Sequence, residues 1–199
     1  MSRVLRPMTL QDVPSVVHLD YLSFSNPWSA RSYAYEVSQS DYSYMVVLEE
    51  TLPIPSQTTL WQQFHQWLGI TPRPVTVLLA YAGMWKFEDT AHISTLASHP
   101  NHRHQGWGKL ILLAQLMRAS ELEAERVSLE VRASNTIAQN LYQQMGFQQT
   151  GIKHGYYSDN QEDAWVMVLS LASHLETLRE RYQQLKQAHH IEDRYTMAE

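Results

Sequence analysis

Apolar residues recur along this chain with two alternating periods, near two and near 3.6 residues, as expected when strands and helices take turns. Residues 4–8 suit a first strand, and Thr9 then suits the N-cap of a helix that turns Val13, Val16, Val17 and Leu19 inward. Ser29 caps a second helix running to Val37. Residues 42–48 and 74–87 carry the β-branched and aromatic residues of a hairpin-like pair, and residues 91–98 add the next strand. Residues 109–121 form a helix that is apolar on more than one side, so it is expected to be covered on both. A short strand over 127–131 follows, then a helix over 135–145 that Gly146 stops as a left-handed cap. Residues 147–152 and 164–171 read as closing strands. The order predicts an α/β (α+β) domain, with no internal repeat.

Two segments stand apart from this alternation. Residues 51–73 insert Pro53, Pro55, a short helix with Leu60, Trp61, Phe64, Trp67 and Leu68, then Gly69 and Pro72, between two strands. A loop of that length in a compact domain has a task or is mobile. Its aromatic stripe is expected to pack on its own protein, with a lid or a partner surface as the alternatives. Residues 173–190 read as a polar helix with Leu175, Leu178, Tyr182 and Leu185 on one stripe, expected to dock on the domain, with a dimer contact as the alternative. His189 and His190 then lead into an acidic tail that is expected to fray.

Composition narrows the function. With 199 residues one domain is the default, and zero Cys removes disulfides, thiol nucleophiles and cysteine metal sites. A net charge of −5 and a pI near 6.0 argue against nucleic-acid binding by bulk electrostatics. The N-terminus lacks the apolar core of a signal peptide and no apolar stretch would span a bilayer, so a cytoplasmic protein is expected. His99, His102 and His104 follow no zinc spacing, and no metal is expected.

The chemistry concentrates between residues 91 and 157. A strand, a turn at Pro100 and the run Arg103-His104-Gln105-Gly106-Trp107-Gly108 open the apolar helix. Gly106 and Gly108 allow backbone N–H groups to approach a ligand, and the helix start presents orphan donors and a positive dipole end that suit a pyrophosphate. Next comes Leu129-Glu130-Val131-Arg132-Ala133-Ser134-Asn135. Glu130 ends a short apolar strand, where partial desolvation would raise its pKa toward use as a base; the alternative is a simple pair with Arg132. Tyr142 lies two helical turns beyond Asn135, on the same face and roughly 10 Å along, although it also reads as a core aromatic next to Leu141.

On these residues the chain resembles the GNAT N-acetyltransferases, whose acetyl-CoA pyrophosphate loop is written R/Q-x-x-G-x-G/A. The run 129–135 with Leu141-Tyr142, Gly146-Phe147, Tyr156-Tyr157, Glu162-Asp163-Ala164 and Asn26-Pro27-Trp28-Ser29 resembles the ribosomal-protein-alanine N-acetyltransferases in particular. The likeness covers most of residues 1–172, taken as the acetyltransferase domain, but neither the insert nor residues 173–199. It implies a mixed central β-sheet flanked by helices and acetyl-CoA as co-substrate. It implies Glu130 as the base for the amine, Tyr142 as the acid for the departing thiolate, and Asn135 as a contact for the pantetheine arm. Leu96 and Ser98 would give backbone contacts to the acetyl-pantetheine, with the oxyanion donor in residues 95–98. Residues 103–108 would hold the pyrophosphate. Trp28, Tyr156 and Tyr157 would line the peptide site, unless they merely pack.

The substrate implied is a protein N-terminus, that of a small-subunit ribosomal protein. Lysine or small-molecule amine transfer, or a non-catalytic acyl-CoA-binding module, are the alternatives. An α-amine of pKa about 7.7–8.0 is about a tenth to a fifth neutral at pH 7, so one modest base suffices. A monomer or weak homodimer is expected.

Overall fold

The computed structural model describes residues 2–52 and 74–196. Of the expected 51–73 insert, Thr51 and Leu52 continue the strand that begins at Ser43, and the rest, including the aromatic stripe, lies outside the described residues. Among those residues one eight-stranded sheet forms the spine, with strand order β6-β7-β5-β4-β3-β2-β1-β8. The strands are β1 (Ser2–Pro7), β2 (Ser43–Leu52), β3 (Val75–Phe87), β4 (Thr90–Ser98), β5 (Arg126–Arg132), β6 (Gln148–Tyr157), β7 (Glu162–Ser170) and β8 (Ile191–Asp193). The β4–β5 and β1–β8 pairs are parallel and the others antiparallel, which makes the sheet mixed.

Helices cover both faces, as strands that are apolar on two sides require. On one face lie α1 (Val13–Ser23) and α2 (Ala30–Ser38), whose Val13, Val16, Leu19 and Tyr33 pack on Val47, Tyr81 and Ala97 of the sheet. Ser29 caps α2 through its hydroxyl, which accepts from the Ser32 N–H. The other face carries α3 (Trp107–Glu121), α4 (Thr136–Gln144) and α5 (Leu175–His189). Helix α3 is buried nearly all round because the sheet covers one side and α5 the other, as its two apolar sides anticipated. Leu178 and Tyr182 of α5 are buried in the same core, with Leu175 and Leu185 partly buried beside them.

The tail departs from expectation. Ile191–Asp193 do not fray but add β8 to the free edge of β1. Asp193 then accepts from Tyr182, Lys186 and Thr196, and the buried Tyr195 hydroxyl donates to Gln115 at 2.7 Å. Gln115 lies 80 residues from Tyr195, and Tyr182 and Lys186 belong to the preceding helix, 11 and 7 residues from Asp193, so the acidic composition of the tail gave no sign of them.

Candidate active site

Strands β4 and β5 pair over only three positions, Thr90–Arg126, Ala91–Val127 and His92–Ser128. Beyond His92, β4 continues against β3 alone and β5 against β7 alone, so a wedge opens between them. Its β4 side is edged by backbone groups that no ladder uses, ready to bind an extended, amide-containing ligand. A bulge at Ser94 shapes this edge, since Gly83 pairs with Thr95 while Met84 pairs with Ile93. One extra residue inverts the alternation. Ala91 and Ile93 face α3, whereas after the bulge Leu96 takes that side and Ala97 turns to α1 and α2. Leu96 and Ser98 thus lie along the wedge beyond the bulge.

At the end of β4 the chain reaches the glycine loop. Arg103, His104 and Gln105 are exposed, His104 has φ +61°, and Gly106 is the N-cap of α3 at φ +88°. A side chain at Gly106 would be strained by that backbone, while a Cβ at Gly108 would meet open space. The first-turn N–H groups of a fifteen-residue helix therefore stand behind an unobstructed cradle. The residues present fit a pyrophosphate. The Trp107 indole does not take part: it is buried, with the Arg3 guanidinium 5.1 Å from its centroid and the His189 ring at 4.6 Å, so only its backbone remains for a ligand.

On β5, Val127, Leu129 and Val131 point to α3, so Ser128, Glu130 and Arg132 take the opposite face. Glu130 is not paired with Arg132. Its Oε1 accepts from Lys153 Nζ at 2.8 Å, and its Oε2 lies 3.2 Å from His92 Nε2. The carboxylate is only 12% exposed. The Lys153 ammonium is pushed up by its hydrogen bond to Glu130, despite some desolvation, and stays charged. His92 is pushed below the ordinary histidine value by burial, which outweighs the attraction of Glu130.

Helix α4 lies on the other side of the sheet. Asn135 is its N-cap, exposed, with Oδ1 accepting from the Ala138 N–H at 3.1 Å. Tyr142 is in the core with its ring 5.8 Å from Phe147, so the packing reading holds for the ring. Desolvation, with Tyr157 nearby, pushes its phenol up to about 12. The hydroxyl is a proton donor across the physiological range.

The residues expected at a peptide site fall along one row on the α1–α2 face. Trp28 stacks on Trp85 at 6.0 Å, Trp85 on His92 at 5.7 Å, and His92 meets Glu130. Beyond Glu130, Lys153 lies 5.1 Å from the Tyr156 ring, which meets Tyr157 edge-on at 5.2 Å. Arg132 closes the row. Its guanidinium sits 3.9 Å over Tyr157 and donates to Asp159, Glu162, Asn160 and the hydroxyl of Ser25. Ser25 also donates to Asp159, so the α1–α2 loop and the β6–β7 turn are clasped together.

The Acetyltransferase (GNAT) family pattern matches residues 14–147, about two thirds of the chain. The chain belongs to the GNAT acetyltransferase family. A Bacillus subtilis (strain 168) protein, provisionally named as a ribosomal protein bS18-alanine N-acetyltransferase, is 32% identical over 167 residues, spanning 84% of this chain and 95% of its own. Among solved structures, the ribosomal-protein-S18-alanine N-acetyltransferase from Escherichia coli superposes with a TM-score of 0.65 at 24% identity, covering 85% of this chain and 94% of its own. Arabidopsis thaliana NAA60 in complex with acetyl-CoA superposes with a TM-score of 0.64 at 15% identity, covering 84% and 97%. Both structures share the fold, and this acetyltransferase has the mixed sheet that the resemblance implied.

Sequence reasoning did not single out His92 or Lys153 in this enzyme, and it offered Arg132 only as a partner for Glu130. A polar residue alternating with Ala91 and Ile93 was the available signal for His92. Nothing local announced that Arg132 would span to Ser25 or that Lys153 would reach Glu130, because both contacts cross between elements. His99 and His102 lie 5.3 Å apart at the start of the glycine loop, and among the described residues no group of three or more His, Asp or Glu could hold a metal. Nor is any described helix long and apolar enough to cross a membrane.

Proposed function

We propose that this N-acetyltransferase uses acetyl-CoA to acetylate the N-terminal α-amine of a protein, the N-terminal alanine of the small-subunit ribosomal protein bS18, in the cytoplasm. One observation carries the reading beyond the family: the candidate base and acid lie on opposite faces of the sheet. Glu130 projects between His92 and Lys153 on the α1–α2 face, and Tyr142 belongs to the core on the α3–α4 face. Such a division suits direct transfer in a ternary complex, with the peptide entering from one face and the cofactor from the other.

The residues divide the work accordingly. The α3 N-terminus and the backbone of residues 103–108 would hold the pyrophosphate, with Asn135, Leu96 and Ser98 along the pantetheine arm. When bound, acetyl-CoA supplies the acetyl group as an activated thioester. Glu130 takes the proton that the amine loses on forming the amide. Tyr142 keeps a proton at its phenolic oxygen for the sulfur that leaves, and its raised pKa keeps that proton in place. Backbone N–H groups of residues 95–98 stabilise the negative charge that develops on the acetyl oxygen. Trp28, Tyr156 and Tyr157 flank the amine, and the Arg132 clasp narrows the entrance above it.

The test is a panel of peptides with the bS18 N-terminus, free or blocked, and with internal lysines, incubated with acetyl-CoA and read by mass spectrometry. Acetyl groups on free α-amines alone are expected. Acetylation of blocked peptides at lysine, or of small amines in preference to peptides, would overturn the substrate assignment.

A further inference from the structure

His92 is a buried-side imidazole that no part of the reaction above uses, yet its geometry is fully determined. Its ring stacks on Trp85 at an interplanar angle of 23°, and the Trp85 indole is itself fixed by donating Nε1–H to Glu36 of α2 at 3.0 Å. Nδ1 lies 3.0 Å from the Ser128 hydroxyl, and Nε2 lies 3.2 Å from Glu130 Oε2. A neutral imidazole has one N–H and one lone pair, so the hydrogen bond at one nitrogen fixes the role of the other. The Ser128 hydroxyl has one proton and two acceptors in reach, Nδ1 at 3.0 Å and the Ala91 carbonyl at 3.4 Å; beside an ionised carboxylate the favourable arrangement gives that proton to the nearer Nδ1 and lets Nε2–H donate to Glu130.

We propose that His92 is the positioning residue of the base, anchoring Glu130 Oε2 so that Oε1, shared with Lys153, faces the incoming amine. The inference rests on Glu130 acting as the base. Lys153 places an ammonium nitrogen 2.8 Å from Oε1, which marks that oxygen as the one an amine can reach. His92 and Ser128 hold the opposite oxygen, and Trp85 prevents the imidazole from rotating away.

This arrangement also makes the base sensitive to pH. The charged and titratable groups around the imidazole are Glu130 on β5, Lys153 on β6, and Glu36 on α2 through Trp85. Burial favours the neutral form of His92 over the charged one. As pH falls below the ordinary histidine range the ring gains a charge, and Glu130 then lies between two cations. Both of its oxygens are then engaged by cations, so turnover should fall.

The experiment compares wild type, His92→Ala, His92→Gln and Ser128→Ala by peptide kinetics from pH 5 to 9, with CoA binding by calorimetry on the same preparations. A hydrogen bond to a charged group corresponds to roughly a 10- to 100-fold effect, so His92→Ala should lose that much in kcat. KM for peptide and affinity for CoA should hold within about twofold. Gln keeps an N–H donor without a titrating charge, and His92→Gln should recover most of the activity at pH 8. The ratio of wild-type to His92→Gln kcat/KM, in which the substrate amine's own titration cancels, should decline below pH 6.5. Ser128→Ala should lower kcat in the same direction by a smaller factor. A His92→Ala enzyme within about twofold of wild-type kcat, or a ratio constant from pH 5 to 8, would overturn the proposal. Glu130→Gln, run alongside, separates the two readings. Retained turnover there removes the base itself, whereas lost turnover there with unaffected His92 variants removes only the positioning role.

Discussion

Gly108→Asp should move stability and cofactor affinity in opposite directions. A Cβ at Gly108 meets nothing within 4 Å, so the folded enzyme has room for the side chain. The position is the second of α3 after its N-cap Gly106, where a carboxylate complements the helix dipole by about 0.3–1 kcal/mol. The melting temperature without ligand should therefore stay level or rise. The same carboxylate faces the proposed site of the pyrophosphate. Two unit charges about 5 Å apart repel by roughly 3 kcal/mol at an effective dielectric of 20 and by under about 1 kcal/mol in water. The half-exposed loop falls between these limits, so CoA should bind about 5- to 150-fold more weakly by calorimetry, less so in high salt. Gly108→Ala is the control: it adds the Cβ without the charge, raises helix propensity by about 1 kcal/mol, and should bind CoA nearly as wild type. An Asp variant that is folded and binds CoA within about twofold of wild type would refute the loop assignment. If Ala weakened binding as much as Asp, bulk rather than charge would be responsible.

Tyr142→Phe should lower kcat by roughly 10²–10⁴-fold with little change in either KM. Because the phenol is raised to about 12 and must be protonated to act, wild-type kcat should show no falling limb between pH 8 and 10, where an ordinary tyrosine would begin to ionise; such a limb, absent in the Phe variant, would contradict its placement. Arg132→Ala removes the contacts to Ser25, Asp159, Asn160 and Glu162 that join the α1–α2 loop to the β6–β7 turn, and peptide KM should rise several-fold while CoA affinity stays; an unchanged peptide KM would show that the clasp does not shape the entrance. Gly146→Ala forces a Cβ to 2.6 Å from the His174 ring at φ +96°, and should destabilise the fold by about 2–3 kcal/mol in urea unfolding, from left-handed strain plus a displaced contact; His174→Ala in the same chain should return part of that loss, and strict additivity would refute the clash.

The sequence by itself determined the elements and the order of the chemistry. Periods of two and 3.6 residues located the strands and helices, because burial of one face is written into local spacing. Ser29 stands where a helix cap was readable and Gly146 where a left-handed stop was required, whereas Asn135 was read as part of its helix and proves to be the N-cap. The glycine loop could be proposed as an anion site from local sequence because backbone approach depends on few neighbours, whereas the roles expected for Glu130 and Tyr142 came from the family resemblance, since a carboxylate beside Arg132 and a phenol beside Leu141 read as well as an ion pair and a core ring. What only the tertiary structure decided was how these parts face one another. The Ser94 bulge inverts β4 and the short β4–β5 pairing opens the wedge, and both depend on register against neighbouring strands. The same holds for His92 and Lys153 at Glu130, for Arg132 reaching Ser25, and for β8 closing on β1. Each joins elements far apart in the chain, and a pairing of that kind is set by the packing of the whole sheet, not by the residues beside it.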